Sequence, residues 1–103
     1  MKKEAVVNNR TEEQTALFKA LADPTRLNLV KSLCHQHEPD AICVNALAKL
    51  HGISQSAVSQ HLRILKNIGL VKGERKGYHI HYAINHDMLK RCHELITAAL
   101  ETD

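Results

Sequence analysis

Residues 53–71, ISQSAVSQHLRILKNIGLV, carry the pattern that decides the fold. Ser54 is placed to cap a helix, and Val58, Leu62, Leu65 and Ile68 recur at helical spacing until Gly69 stops the run. The other side of that helix presents Ser54, Gln55, Ser56, Ser59, Gln60 and Arg63, a face of mostly short hydrogen-bonding groups. Just before it, Val44, Leu47, Ala48 and Leu50 give a short helix with an inward stripe, closed by Gly52. Just after it, Leu70–Glu74 and Tyr78–Ile84 are strand-like runs joined through Arg75, Lys76 and Gly77, which predicts a β-hairpin with cations at its tip. The second run sets Tyr78, Ile80, Tyr82 and Ile84 against His79, His81 and Ala83, so one side packs and the other faces out. Two helices joined by a tight glycine-containing turn, then a two-stranded basic hairpin, is the order of a winged helix-turn-helix.

Outward from this centre the chain supplies three more helices. Residues 1–10 are polar without a clear period and read as a loose, flexible arm. Thr11 is the expected cap of a first helix, with Glu12 and Glu13 favourably set against its dipole and Ala16, Leu17, Phe18 and Leu21 facing inward. Asp23 followed by Pro24 marks a second start, with Leu27, Leu29, Val30 and Leu33 as the inward stripe and an end near Cys34. Residues 35–41, with Pro39 and Asp40, read as a loop. From Asp87 onward, Met88, Leu89, Cys92, Leu95, Ile96, Ala99 and Leu100 form an amphipathic terminal helix. The whole is mainly α with a small β-hairpin, in the order α-α-α-α-β-β-α, one domain over residues 11–102. The apolar faces of the first and last helices exceed what one small core needs. A second copy would cover the excess, which predicts a homodimer with Leu17, Phe18, Met88, Cys92, Leu95, Ile96 and Ala99 at its interface.

Composition narrows the class of function. At 103 residues the chain holds one core and no separate catalytic domain. The formal charge is only +3, but between Ser54 and Lys76 the cations and histidines His61, Arg63, Lys66, Lys72, Arg75 and Lys76 face a single acid, Glu74. No apolar run approaches the roughly 20 residues that cross a bilayer, and MKKEAVVNNR lacks the apolar centre of a secretion signal, so a cytoplasmic protein without a membrane role is expected. Three cysteines argue against a disulfide framework. No Gly-rich phosphate loop, His-Glu-x-x-His or nucleophile elbow is present, and an enzyme is not expected.

The partner that suits this pattern is double-stranded operator DNA. Gln pairs bidentately with adenine in the major groove, and Ser serves most bases or a phosphate. Lys66, Lys72, Arg75 and Lys76 are expected on phosphates, with His61 and His79 near the backbone. A different class, a metal-binding or protein-interaction module without DNA, would treat the same surfaces as solvated.

Three stretches resemble the ArsR/SmtB family of repressors: LFKALADPTRLNLVKSL at 17–33, ISQSAVSQHLRILKNIGLV at 53–71 and RKGYHIHYAI at 75–84. The resemblance covers roughly residues 11–100 and implies a homodimer joined by its first and last helices, bound to its operator when effector-free and released by an inducer, often a metal ion. It also shows departures. Arsenic-responsive members open the third helix with Cys-Val-Cys, where this chain has Cys43-Val44-Asn45. The places of the zinc ligands between terminal helices hold His86, Met88, Ala99 and Thr102, and no cysteine precedes Cys34.

What remains for an inducer is Cys34, His35, His37 and Cys43, which bracket a loop that could fold around Zn²⁺, Cu(I) or As(III), or react as thiols. The alternatives are a small buried apolar Cys34 with solvated histidines, and a repressor of this type with no metal or thiol ligand. Cys92, His93 and Glu94 are consecutive and fan around a helix, so a site using His86, Cys92 or His93 would need a partner chain.

Overall fold

Four helices begin on a side chain that takes a backbone hydrogen bond, and those caps set where the elements lie. In the computed structural model, which describes residues 8–35 and 42–101, the order is α1 (Asn9–Leu21), α2 (Pro24–Cys34), β1 (Ile42–Cys43), α3 (Val44–His51), α4 (Gln55–Asn67), β2 (Val71–Lys76), β3 (His79–Ile84) and α5 (His86–Leu100). Asp23 accepts from the N–H groups of Thr25 and Arg26, with Pro24 at the first helical position where no N–H is needed. Ser54 accepts from Ala57 N–H, and Asn85 from Met88 N–H. The first helix departs from expectation. Asn8, not Thr11, is its cap, accepting from Thr11 N–H at 2.8 Å, because asparagine caps as well as threonine and nothing in Asn9 or Arg10 resists the helix. Residues 9 and 10 of the expected arm are therefore helical, and residues 1–7 lie outside the described residues.

The hairpin forms with a third strand that local pattern did not announce. The sheet order is β1-β3-β2, all antiparallel, with Ile42 opposite Tyr82 and Cys43 opposite His81. Between β2 and β3 the last pair is Lys76 with His79, so the turn is Gly77–Tyr78 rather than residues 75–77. Gly77 has φ 66°, the positive value that a two-residue turn of the II′ kind needs at its first central position. Arg75 and Lys76 thus sit on the strand beside the tip, and Tyr78, expected on the packed side, is 97% exposed in the turn. The packed side tapers along β3, from a half-exposed Ile80 to a buried Ile84, since the hairpin projects past the core.

The core is one cluster to which every helix contributes: Leu17, Leu29, Leu47, Val58, Leu62, Leu65 and Leu95 are all sealed, with Leu70 and Val71 at the base of the hairpin. Polar ties set the outer pair, with Gln14 Nε2 donating to the Leu95 carbonyl at 2.9 Å and Arg91 gripping Glu13 at 2.6 Å. Several expected inward positions are not covered within the protomer. Leu50 is 66% exposed at the end of α3, and Phe18 and Leu27 are partly exposed, because a helical stripe names a direction but not the width of the neighbour that covers it. Conversely Leu17, Cys92 and Leu95, expected at an interface between copies, are buried at 1–3% exposure in the protomer's own core and have almost no surface left to give a partner.

These differences in cover predict differences in stability. Leu62→Ala should cost about 2–5 kcal/mol in denaturant unfolding, whereas Leu50→Ala should stay within about 0.5 kcal/mol of the parent. Equal losses would contradict the packing described.

Candidate nucleic-acid interface

Helix α4 is seated from one side only. Val58, Leu62 and Leu65 are fully buried at its inner face, which leaves Gln55, Ser56, Ser59, Gln60, Arg63 and Lys66 exposed on the outer one, with Ser54 exposed at the cap. Its approach is fixed by the preceding turn. Gly52 ends α3 in the left-handed region at φ 65°, and the Ile53 N–H returns to the Ala48 carbonyl at 3.1 Å. The first turn of α4 therefore starts beside α3, across a hollow of about 410 Å³ that Asn45, Lys49, Ser54 and Gln55 help to line.

The hairpin faces the same region. Gln55 and Ser59 share a cleft of about 220 Å³ with Asn45, His79 and Ile80, so the exposed helix and the wing are walls of one concavity. Lys72, Arg75, Lys76 and His79 are all exposed along the hairpin. Lys76 lies 4.0 Å from Glu74, an open surface pair that holds neither charge away from another partner. Of the twelve residues expected at a nucleic acid, eleven are on exposed surface, and the structure places Gln55, Ser59 and His79 together. Asn45 and Lys49 join them from α3 without a signal in the chain, since the short α3 pattern had marked only its apolar side.

The twelfth, His61, is turned inward. Its Nδ1 accepts from Arg26 Nη1 at 3.3 Å, which ties the half-buried ring to α2 on the side away from Gln60 and Arg63. Arg26 is the centre of a knot: Nε donates to the Ala20 carbonyl at 2.6 Å, Nη2 to the Lys19 carbonyl at 3.4 Å, and Nη1 lies 3.8 Å from Asp23. Burial pushes the Asp23 carboxyl up, but the N–H groups of Arg26 and Thr25, with the neighbouring His61 ring and the Arg26 guanidinium, bring it net below its ordinary value.

The candidate inducer ligands are less well assembled. Cys34 is exposed at the end of α2, where partial desolvation nonetheless raises its thiol pKa; Cys43 is half-buried, and Cys92 is buried with its thiol also raised by desolvation. His35 Nδ1 donates to the Lys31 carbonyl at 2.9 Å, which leaves Nε2 as its ligating nitrogen. Among the described residues no three His, Cys, Asp or Glu side chains converge as a metal site. His37 lies outside the described residues.

The profile of the bacterial regulatory protein arsR family matches residues 23–72. Over 82 residues the chain is 40% identical to the transcriptional repressor SmtB homolog of Synechocystis sp., covering 78% of this chain and 59% of that protein. It is 31% identical over 93 residues to the cadmium resistance transcriptional regulatory protein CadC of Listeria innocua, covering 90% of this chain and 76% of that one. Among solved structures, the homodimeric winged helix-turn-helix DNA-binding domain Mb0332 from Mycobacterium bovis matches with a TM-score of 0.70 at 26% identity, over 96% of this chain and 89% of that chain. The chain spans 59%, 52% and 60% of the lengths of the first curated relatives it matches.

The thiols yield a direct check. A raised pKa leaves less thiolate at neutral pH, and the thiolate is the nucleophile. Iodoacetamide at pH 7.5 should therefore modify Cys34 more slowly than free glutathione, with a rate that climbs as pH rises through the usual cysteine range, and should reach Cys92 only after unfolding. Faster labelling of Cys34 than of glutathione would mark it as an activated thiolate, contrary to this geometry.

Proposed function

This chain belongs to the ArsR family of bacterial regulatory proteins, and from that premise we propose that it is a homodimeric transcriptional repressor that reads operator DNA with α4 and grips the flanking strand with the β2–β3 hairpin. The observation that carries the reading is the one-sided seating of α4. Three fully buried apolar side chains hold it, while Gln55, Ser56, Ser59 and Gln60 stand exposed toward its N-terminal half, the part of a reader helix that meets base edges. Gln60 and Gln55 suit adenine, and the serines suit bases or phosphates. Lys66, Lys72, Arg75, Lys76 and His79 supply the sequence-independent grip on phosphates.

Two copies fit this reading. A dimer spaces its two reader helices by about one helical turn, roughly 34 Å, and so favours a two-fold symmetric operator. The surface for it lies on α1 and α5, where Phe18 is 41% and Leu100 is 70% exposed and Met88 and Ile96 are half-buried, with Ala99 exposed between them. The homodimeric relative of known structure supports the same assembly.

Release by an inducer is the family's usual control, and relatives named for cadmium and arsenical resistance support a metal ion in general. The described residues of this chain, Cys34, His35 and Cys43, do not by themselves compose a three-donor set for Zn²⁺, Cu(I) or As(III). The second reading is a repressor of this family that answers to no metal or thiol ligand. Titration of the protein–operator complex with Zn²⁺, Cu(I), arsenite and persulfide separates the two: release by one of them establishes a sensor, and release by none leaves a repressor alone.

For DNA itself, anisotropy with the duplex upstream of the chain's own coding region should show binding that falls steeply with salt. Gln60→Ala should cost about 1–3 kcal/mol on that duplex and little on a scrambled one, whereas Lys72→Ala should weaken both and reduce the log–log salt slope by about 1. Retardation of no duplex at low ionic strength would end the reading. Phe18→Glu with Leu100→Glu should shift the protein to monomer in sedimentation equilibrium while leaving its helical content intact.

A further inference from the structure

The reader helix is joined to the rest of the molecule by a bond that depends on a proton. Arg26 carries five N–H groups and no acceptor, so its contact with His61 Nδ1 at 3.3 Å exists only when that nitrogen offers a lone pair. The ring must then be neutral with its proton on Nε2. The other arms of Arg26 are committed to the Ala20 and Lys19 carbonyls in the last turn of α1, the second of which also accepts the Ala22 N–H at 3.4 Å. The fork therefore clamps the end of α1 and the start of α2 to the middle of α4, one residue past Gln60. Adding a proton to His61 would set N–H against N–H and cation against cation at this distance.

Two charged groups face His61, and they act on it in opposite senses. From α2 and its cap they are the Arg26 guanidinium and the Asp23 carboxylate. Asp23 Oδ1 already accepts from the N–H groups of Thr25 and Arg26, and Oδ2 lies against Arg26 itself. From α1 the knot receives carbonyls rather than charges. On α4 itself, the positions one turn from His61, Ala57, Val58, Ile64 and Leu65, carry no charge.

We propose that the Arg26–His61 hydrogen bond is a positioning latch for the reader helix, closed while His61 is neutral and opened by its protonation, so that specific DNA affinity falls in mild acid. The proposal rests on the reading of α4 as the DNA reader. Its sign distinguishes it from plain electrostatics: the chain has eight histidines, and their added charge in acid should tighten any non-specific grip on phosphates.

Anisotropy at fixed ionic strength between pH 8 and pH 5.5, on the upstream duplex and on a scrambled one, tests it. For the unmodified protein the specific duplex should lose about fivefold or more in affinity on acidification, the lower end of ordinary coupling between sites, while the scrambled duplex binds no more weakly. His61→Asn places a non-titrating amide oxygen where Nδ1 stood; it should bind at pH 8 within about twofold of the parent and lose the acid response. His61→Leu, which has no acceptor, should bind the specific duplex weakly at both pH values, with circular dichroism confirming that it is folded. Ring ¹⁵N shifts of the DNA-free protein should report an unprotonated Nδ1 for His61 at pH 8, and a protonated Nδ1 there would overturn the latch. An acid response in His61→Asn equal to the parent's, or full affinity in a folded His61→Leu, overturns the latch while leaving the DNA reading intact. Failure of the parent to bind any duplex at pH 8 overturns both.

Discussion

The sealing of Val58, Leu62 and Leu65 against the core is the contact on which the rest depends. A helix presents its whole circumference, and only a completely buried inner stripe prevents it from rolling. With three side chains locked at 0% exposure, the angular position of Gln55, Ser59 and Gln60 is fixed by packing rather than by any contact they make themselves. Neutral polar groups on such a rigid base lose little freedom on meeting DNA, which is the condition under which a hydrogen bond discriminates between bases. The hairpin works by other means: its burial ends near Ile84, so its cations sit on a projecting arm suited to phosphates, where position matters less than charge.

What could be foreseen from the chain follows the range of each signal. Asp23 with Pro24, Ser54 with its buried repeat, and Gly52 after α3 act within four residues, and all three appear in the structure as expected. The strand β1 escaped notice because two residues carry no period; Ile42 and Cys43 become a strand only by pairing with Tyr82 and His81, some forty residues away. The inward turn of His61 was hidden for the same reason, since its partner Arg26 lies 35 positions earlier. Periodicity also left open how much of each apolar stripe is covered. It gave Leu17 and Phe18 the same direction, yet one is core and the other surface, a difference decided by where α5 lies across α1.

Arg26 shows how a charged residue can belong to the architecture. Surface ion pairs such as Lys76 with Glu74 are weak because water competes for both ends. The Arg26 side chain is only 15% exposed, and the acceptors around it are helix-end carbonyls that need partners in any case. Lysine could not replace it, since a single ammonium lacks the planar fork that reaches α1 and α4 at once.

The same knot gives the fold a continuous route between its two working surfaces. Helix α1 is tied to α5 through Gln14 and Leu95 and through Glu13 and Arg91, so in the proposed dimer the two helices would shift together. Its far end, at Lys19 and Ala20, is held by the guanidinium that also holds α4. A shift of the subunits about α1 and α5 would therefore be felt at Gln60 through directional hydrogen bonds as well as through the apolar core. On the reading proposed above, whatever biases the spacing of two copies, a ligand or a proton, would reach the DNA contacts through this junction of α1, α2 and α4 as well as through the apolar core.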